Sequence, residues 1–355
     1  MHIGVSLMYW PWFEPDEQVA LARQADRLGF HSVWVAEGYG QEVGATLGVL
    51  AGCTERVLLG AGIAQIPARQ PTTTAALAST VDRFSGGRML LGLGLSGPQV
   101  SEGWYGVPFT APLRRTREYV EIVRLALSGA RVEYEGREWT LPARDGGLGL
   151  GKALKLIAAP RHEIPVYLGV GGEQTVRQAG EIADGWTPFL YSPRHADVLT
   201  APLLEGLARA GRRREDVTVA PLAAAAVADD LEHARDAVRP VLTLYFGGMG
   251  AAGKNFYVDL AERYGHGASA RACQDAYLAG DRAGAAAALT DDLCDEVALV
   301  ATPATLADRL HAFAAAGVDL LVVAPFGDRP ALLDALATHL PTDLRSPTDA
   351  SEVHA

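Results

Sequence analysis

The sequence predicts an α/β fold, a (β/α)8 TIM barrel in which eight parallel strands alternate with helices. Three observations favour this fold. Strand and helix signals alternate along the 355 residues, the early strand–helix units repeat at about thirty residues each, and glycine-rich stretches follow several of the predicted strands. An open, doubly wound sheet would need fewer strands for this length.

Four strand–helix units account for the first half of the chain. The first strand, Ile3–Leu7, is a short apolar run, and the helix after it ends before Gly29, a residue type that often follows a helix. The second strand, Ser32–Ala36, is rich in β-branched and aromatic residues. The other predicted elements of this half are the helices Asp16–Leu28, Val43–Cys53 and Thr72–Phe84 and the strands Val57–Gly62 and Met89–Leu93.

Two insertions interrupt the second half of the repeat. The first, after strand 4, contains a predicted hairpin at Arg131–Leu141 and a further short strand at Leu154–Ala158. The second is helical, lies between strands 7 and 8 at Leu231–Ala288, and is broken by glycines at Gly247–Gly253. The remaining elements are the helices Leu113–Ser128, Gln174–Ala183, Pro202–Ala210 and Ala304–Ala316 and the strands Pro165–Gly169, Gly185–Phe189, Val217–Val227 and Leu320–Ala324. We expect one domain over residues 1–340 and a mobile polar tail over residues 341–355.

Composition excludes several classes of function. The net charge of -11 argues against a nucleic-acid partner, because neutralising phosphates needs a basic surface. No apolar run approaches the roughly 20 residues that cross a bilayer. The three cysteines are too few and too scattered for a disulfide framework or a zinc site. We therefore expect a cytoplasmic protein without a metal or a membrane anchor.

Glycine-rich segments follow the third, fourth and fifth predicted strands, at Gly60–Pro71, Gly92–Trp104 and Gly169–Thr175. In barrels of this kind the chemistry lies in the loops after the strands. Glycine lets the backbone approach a ligand closely, and Gly171-Gly172 opens directly into a helix whose first N–H groups favour an anion. A phosphate cradle is one interpretation of this segment, and a tight strand-to-helix turn is the other.

In these same segments the chain closely resembles the bacterial luciferase-like superfamily. Within it the sequence is most similar to the oxidoreductases that use the deazaflavin coenzyme F420, a group that includes methylenetetrahydromethanopterin reductases. The resemblance extends to about Asp328. It is carried by Ser32–Glu37, Gly60–Pro71, Ser85–Trp104, Gly171-Gly172 with Ala183–Trp186, and Gly247–Gly250 with Gly253–Tyr257.

The resemblance implies F420 as the cofactor, with FMN as the alternative, and a small organic molecule as the substrate. It also implies a non-proline cis peptide bond at Gly62–Ile63, against the central ring of the cofactor. The residues that it places at the cofactor are Gly62, Ile63, Ala64, Gln65, Arg69, Gly94, Ser96, Gly97, Gln99, Val100, Gly169, Gly171, Gly172 and Thr175. Those that we expect in the substrate pocket are Tyr9, Trp10, Tyr39, Trp104 and Lys254.

Glu37 and Glu102 are the candidate catalytic residues. Glu37 stands where the family has an acidic residue near the ring, and it either accepts a hydrogen bond and positions the substrate or is a solvated carboxylate at a strand end. Family members that oxidise sugar phosphates have a histidine after that acid, whereas this chain has Gly38. The departure removes the obvious general base and argues against sugar-phosphate oxidation.

Three functions remain open at this point. The first is a deazaflavin-dependent oxidoreductase that transfers a hydride between reduced F420 and an activated C=C, C=N or C=O bond. The second is a monooxygenase that uses reduced FMN and oxygen. The third is a barrel that binds a flavin-like ligand without turning it over. Luciferase-like barrels commonly pair, so we expect a homodimer that buries helices of the first half.

Overall fold

The computed structural model of the protein describes residues 1–9, 11–144, 147–250 and 253–341. Ten of its strands form one sheet in which every pairing is parallel, and the other two form a small antiparallel hairpin. The strands are β1 (His2–Leu7), β2 (Ser32–Val35), β3 (Leu58–Gln65), β4 (Met89–Gly94), β5 (Tyr134–Glu135), β6 (Thr140–Leu141), β7 (Val166–Leu168), β8 (Gly185–Trp186), β9 (Thr218–Val219), β10 (Leu222–Val227), β11 (Leu299–Ala301) and β12 (Leu320–Pro325).

The sheet curls until its two ends meet. Strand β1 pairs with β2 on one side and with β12, the last strand, on the other. Strand β12 then pairs with β10, while β9 pairs with β8. Only Ala220 and Pro221 separate β9 from β10, and a parallel bridge joins Phe189, just after β8, to Leu222. These hydrogen bonds close the sheet around a central axis.

Helices follow the strands. Several of them pack against strands of the sheet. The helices are α1 (Pro15–Leu28), α2 (Val43–Cys53), α3 (Pro71–Ser85), α4 (Pro98–Gly103), α5 (Pro112–Leu127), α6 (Glu173–Ile182), α7 (Asp197–Arg209), α8 (Leu231–Thr243), α9 (Phe256–Arg263), α10 (Gly267–Leu278), α11 (Arg282–Ala287), α12 (Asp291–Val297), α13 (Leu306–Ala315) and α14 (Arg329–Ala337).

Large aromatic side chains fill the centre of the sheet. The ring of Trp34 packs edge-to-face on Tyr167 at 5.1 Å, and its indole nitrogen donates to the Ser32 hydroxyl at 2.8 Å. A side chain at Gly60 would collide with that indole ring. Because the interior is packed at this level, any ligand site along the axis lies beyond it, at an end of the strands. Among the described residues, no helix combines the length and the apolar character needed to cross a membrane.

The predicted alternation of strands and helices is confirmed, with most ends within one or two residues. One predicted strand is wrong: Leu154–Ala158 runs without strand pairing along the end of α3, where the Ser79 hydroxyl donates to the Ala158 carbonyl. Within this segment the side chain of Ile157 is fully exposed. Helix α7 begins earlier than expected, because Pro202 lies inside the helix rather than at its start.

Four elements were not anticipated in the sequence. Helix α4 lies in the glycine-rich segment after β4, helix α12 and strand β11 follow the long helical segment, and α14 follows the last strand. The hairpin predicted at Arg131–Leu141 is present as β5 and β6. Most of the tail predicted over residues 341–355 lies outside the described residues, as does Trp10.

Candidate active site at the carboxyl ends of the strands

The third strand ends in an irregular segment. The peptide bond between Gly62 and Ile63 is cis, as the resemblance implies. The pairing of β3 with β4 also shifts between Ala61 and Ala64, so the chain bulges at this point. The bulge leaves Ile63 partly exposed at the carboxyl end of the sheet, while Ala64 beside it is buried.

Glycines on the neighbouring strands make room for the Ile63 side chain. A Cβ atom on Gly94 would collide with the end of that side chain, and one on Gly169 would lie 2.7 Å from its Cγ2 atom. A Cβ on Gly92 would collide with the Ala61 carbonyl. These positions therefore require glycine for packing around Ile63, whether or not their backbone also meets a ligand.

The Glu37 carboxylate, at the end of β2, is almost completely bonded within the protein. It accepts hydrogen bonds from the backbone N–H of Gln65 at 2.7 Å and of Val43 at 3.4 Å. Both terminal nitrogens of Arg69 also donate to it, one of them at 2.9 Å. Its side chain is only 3% exposed, so Glu37 is a buried ion pair and not a solvated carboxylate.

Arg69 faces the carboxylates of this corner of the site. Besides its contacts with Glu37, it forms an ion pair with Glu42 at 3.1 Å. Its pKa is raised by hydrogen bonds and charge from Glu37, which outweigh the opposing effect of burial. We expected this guanidinium group at the cofactor, and here it acts on Glu37.

Two buried polar atoms near Ile63 lack a partner within the protein. The Gln65 side chain donates to the Glu37 carbonyl at 3.0 Å, but its Oε1 atom accepts nothing. The hydroxyl of Thr187, after β8, is also unbonded, and it would lie 3.4 Å from a Cβ on Gly169. Buried polar atoms are nearly always hydrogen-bonded, so these two atoms are available to a bound ligand or an ordered water.

The loop after β7 ends at an uncapped helix. Gly172 is the N-cap residue of α6, and no side chain caps the first turn. The hydroxyl of Thr175 donates to the Gly172 carbonyl at 2.8 Å, which leaves the first backbone N–H groups to another acceptor. A side chain at Gly171 would collide with the ring of Phe256. The predicted phosphate cradle therefore has the required donors.

A group of aromatic side chains covers the mouth on the side of β1 and β8. We call this group the aromatic wall, and its members are Phe189, Tyr245, Phe256 and Tyr257. Tyr245 packs on Phe189 at 4.3 Å and on Tyr257 at 5.1 Å, and Tyr257 packs on Phe256 at 5.3 Å. Tyr9, just after β1, lies against Gly38, where an added Cβ atom would be 3.2 Å from its ring. Burial raises the pKa of Tyr9, Tyr245 and Tyr257.

The rim of the site is more exposed. Tyr39 and Trp104 form a tilted pair at 6.2 Å, and both are more than half exposed. Glu102 accepts a hydrogen bond from the Phe109 backbone at 3.0 Å, and Lys254 is exposed just before α9.

The turn into α4 carries four of the predicted cofactor residues. Ser96 adopts a φ of 58°, an unusual conformation for a residue other than glycine. Gly97 is the N-cap residue of α4, and Gln99 and Val100 lie in its first turn.

Sequence reasoning missed most of the aromatic wall. Phe189 was not singled out because it ended a predicted strand, and Tyr245 was not because it lay inside a helical insertion. Thr187, which is not part of the wall, was missed as well. A usable signal was present, since Tyr245-Phe246 and Phe256-Tyr257 stand at the two ends of the glycine-rich break. In the described part of the chain, no cluster of His, Cys, Asp and Glu has the arrangement of a metal site.

Comparison with known proteins identifies the family. The sequence profile described as luciferase-like monooxygenase matches residues 1–320. The chain belongs to the luciferase-like family. The resemblance seen in the glycine-rich segments is thereby confirmed over nearly the whole chain.

Members of the luciferase-like family that resemble this chain include several F420-dependent proteins. A Mycobacterium tuberculosis protein, Rv3520c, with a provisionally assigned F420-dependent oxidoreductase activity, is 40% identical and is matched over 91% of this chain and 94% of its own length. The 5,10-methylenetetrahydromethanopterin reductase of Archaeoglobus fulgidus is 29% identical over 89% and 91%. The structure of the F420-dependent tetrahydromethanopterin reductase of Methanopyrus kandleri superimposes with a TM-score of 0.80 at 25% identity, covering 96% of this chain and 98% of that one.

Proposed function

We propose that this protein is an F420-dependent oxidoreductase that transfers a hydride between reduced F420 and a small organic substrate. The observation that carries the proposal is the similarity, over about nine-tenths of the chain, to proteins named for F420. When bound, the reduced cofactor would supply the hydride. The protein would bind both molecules, orient them and exclude water.

The residues at the mouth fit a flat heteroaromatic ring with polar edges. The side chain of Ile63 offers an apolar surface at the bulge, and the unpaired Gln65 Oε1 and Thr187 hydroxyl offer an acceptor and a donor. The uncapped start of α6, at Gly172, fits the phosphate of such a cofactor. Ser96 and Gly97 would border the ring through backbone groups.

The bonding of Glu37 supports a positioning role for it. By accepting the Gln65 N–H, its carboxylate fixes the end of β3 and thereby the direction of the Gln65 amide. Glu102 similarly holds the chain after α4 through the Phe109 N–H. We therefore propose that both glutamates, first considered as catalytic groups, shape the site rather than exchange protons with the substrate.

A turnover assay separates the three functions considered for the chain. Purified protein is mixed with reduced F420 or, separately, with reduced FMN, in each case with a panel of enones, imines and carbonyl compounds and with or without oxygen. We expect oxidation of F420 that depends on the substrate and does not need oxygen. Turnover only with reduced FMN and oxygen would overturn the proposal in favour of a monooxygenase, and tight binding without any turnover would favour a carrier.

Several finer features belong to the same proposal. We propose one domain over residues 1–340, with the segments between β4 and β7 and between β10 and β12 as insertions into an eight-stranded barrel. We also propose a cytoplasmic homodimer. Val49 on α2 and Phe84 on α3 support it, because these large apolar side chains are 57% and 79% exposed on helices of the first half. Light scattering after gel filtration would test the dimer.

A further inference from the structure

The segment after β8 passes from the mouth of the barrel into a strained turn. A Cβ atom on Gly169 would lie 3.4 Å from the Thr187 hydroxyl oxygen and 2.7 Å from Ile63, so this hydroxyl, which has no partner, lies beside the bulge. Phe189 belongs to the aromatic wall. Leu190, the next residue, is buried and has a φ of 58°, a rare conformation for a bulky side chain that persists only where the surroundings enforce it. The groups that hold the chain just after Leu190 therefore bear on the mouth.

A buried carboxylate holds the chain at this point. The side chain of Glu296, near the end of α12, is 2% exposed, and its Oε1 atom accepts hydrogen bonds from the Ser192 hydroxyl and from the His195 ring, the latter at 2.9 Å. The Ser192 oxygen in turn accepts the backbone N–H of His195 at 2.9 Å. The turn that leads into α7 is thus fixed to an element from a distant part of the chain.

Tyr264, just after α9, connects this carboxylate to the strained turn. Its hydroxyl donates to the Leu190 carbonyl at 3.2 Å, and its ring stacks on that of His195 with the ring centres 5.7 Å apart. Ser192, His195, Tyr264 and Glu296 therefore form one connected group, which we call the latch.

A serine, a histidine and a glutamate also compose the nucleophilic triad of many hydrolases. In such a triad the hydroxyl and the carboxylate bond to opposite nitrogens of the imidazole ring. Here both lie on Nδ1, the Ser192 oxygen at 3.5 Å and the Glu296 oxygen at 2.9 Å, and the serine is completely buried. The latch therefore fixes a segment of the chain and does not attack a substrate.

We propose that Glu296 is a positioning residue of the cofactor site, which acts through Ser192 on the Thr187 hydroxyl. This inference rests on the proposed function. Only Pro188–Tyr191 lie between Thr187 and Ser192, and the strained Leu190 among them is held by the latch. When the latch releases Ser192, this turn relaxes, and the Thr187 hydroxyl moves away from a ring that is bound against the bulge.

The binding test compares Glu296→Met with Glu296→Gln. Methionine has a similar volume but no acceptor, whereas glutamine keeps an Oε1 atom that accepts the same bonds. Fluorescence titration with oxidised F420 measures affinity without turnover. We expect Glu296→Met to weaken F420 binding by about 3- to 10-fold, as loss of one hydrogen bond does, and Glu296→Gln to stay within about 2-fold of the parent protein.

Glu118→Met is the matched control. Glu118 on α5 is also a buried glutamate that holds a loop, since it accepts the backbone N–H groups of Arg137 at 2.9 Å and Glu138 at 2.8 Å. That loop is the turn of the β5–β6 hairpin and not a strand-end segment of the mouth. Glu118→Met should therefore leave F420 affinity unchanged.

A double variant separates positioning from a general loss of structure. In the Thr187→Val background, Glu296→Met should weaken binding by less than about 2-fold more, because the hydroxyl that it positions is already absent, whereas independent losses would multiply. Ser192→Ala breaks the same connection with a smaller change in volume. It should reproduce the loss of affinity even where Glu296→Met folds poorly.

The position of Thr187 can also be followed without any cofactor. Its methyl group gives an NMR signal in protein labelled at the threonine methyl carbons, and the signal is assigned by its absence in Thr187→Val. We expect this signal to shift in Glu296→Met and in Ser192→Ala and to stay in place in Glu118→Met. An unmoved signal in both latch variants would overturn the inference.

The outcomes separate this inference from the proposed function. If the parent protein neither binds nor oxidises reduced F420, the proposed function fails and the inference fails with it. If the parent protein binds F420 and turns over but Glu296→Met and Ser192→Ala keep its affinity, only the inference is overturned. Losses that multiply in the double variant would overturn it as well.

Discussion

The mouth of the barrel has two unlike sides. On the side of β2 and β3, the charged residues Glu37 and Arg69 bond to each other and to the backbone. On the side of β1 and β8, the phenols Tyr245 and Tyr257 pack edge-to-face at 5.1 Å, and burial raises the pKa of each.

The difference shows that the charge of a residue in the site is a poor guide to the role of that residue. A carboxylate at a strand end attracts attention in a sequence, but here its oxygens are already occupied. The Thr187 hydroxyl after β8 is less conspicuous in a sequence, yet it has no partner within the protein. Bonding that is already complete indicates a structural role, and bonding that is incomplete indicates contact with a ligand.

The largest expected effect tests the charged side. Replacing Arg69 by Met removes the partner of a buried carboxylate, and such a change costs about 3–5 kcal/mol in the free energy of unfolding. The matched change, Arg144→Met, breaks an exposed pair with Glu135 and should cost about 1 kcal/mol or less. Urea unfolding measures both. Equal losses in the two variants would show that the Glu37 corner is not a structural pair.

Sensitivity of the fold to acid is expected from a different residue, His31. This histidine lies at the opposite end of the barrel, and burial lowers its pKa to about 4. Because the unfolded chain binds the proton near pH 6.5, stability should be full above that pH and fall as pH drops toward 4, by up to about 3 kcal/mol. His31→Gln should flatten this fall, whereas His311→Gln, on an exposed position, should not. Identical pH profiles for the two variants would reject His31 as the source.

The bulge between the two sides can be tested by a pair of changes. Gly94→Ala places a methyl group against the Cδ1 atom of Ile63 and should cost about 1–3 kcal/mol. Ile63→Val lacks that atom, so the double variant should recover most of the loss, although Ile63→Val alone costs about 1 kcal/mol. Thermal unfolding of all four proteins measures the coupling. Simple additivity would contradict the packing described around Ile63.

The smallest expected effect concerns Thr187. Because its hydroxyl has no partner in the protein, Thr187→Val should change the free energy of unfolding by less than about 1 kcal/mol. If that hydroxyl bonds the cofactor, F420 affinity should fall by about 3- to 10-fold. Thr80→Val, which removes an exposed bond to the Ala76 carbonyl, is the control and should leave affinity unchanged. Loss of stability without loss of affinity would contradict a ligand role for Thr187.

The sequence could predict the fold but only part of the site. Alternating periodicity is a local property, so most ends of the helices and strands from β1 to β4 were predicted to within one residue, although β3 runs three residues past its predicted end, to Gln65. The resemblance located the cis bond at Gly62. Contacts between distant segments carry no such local pattern. The packing of Phe189 on Tyr245, and the ion pair of Glu37 with Arg69, join residues 56 and 32 positions apart. Those pairings decide which groups are free, and they become visible only in the folded chain.

Titration of the purified protein with F420 and, separately, with FMN tests the central claim most directly. The fluorescence change should saturate with F420 at a dissociation constant well below that for FMN. It should weaken in Thr187→Val but not in Thr80→Val. Tight binding of FMN with no measurable binding of F420 would contradict the account.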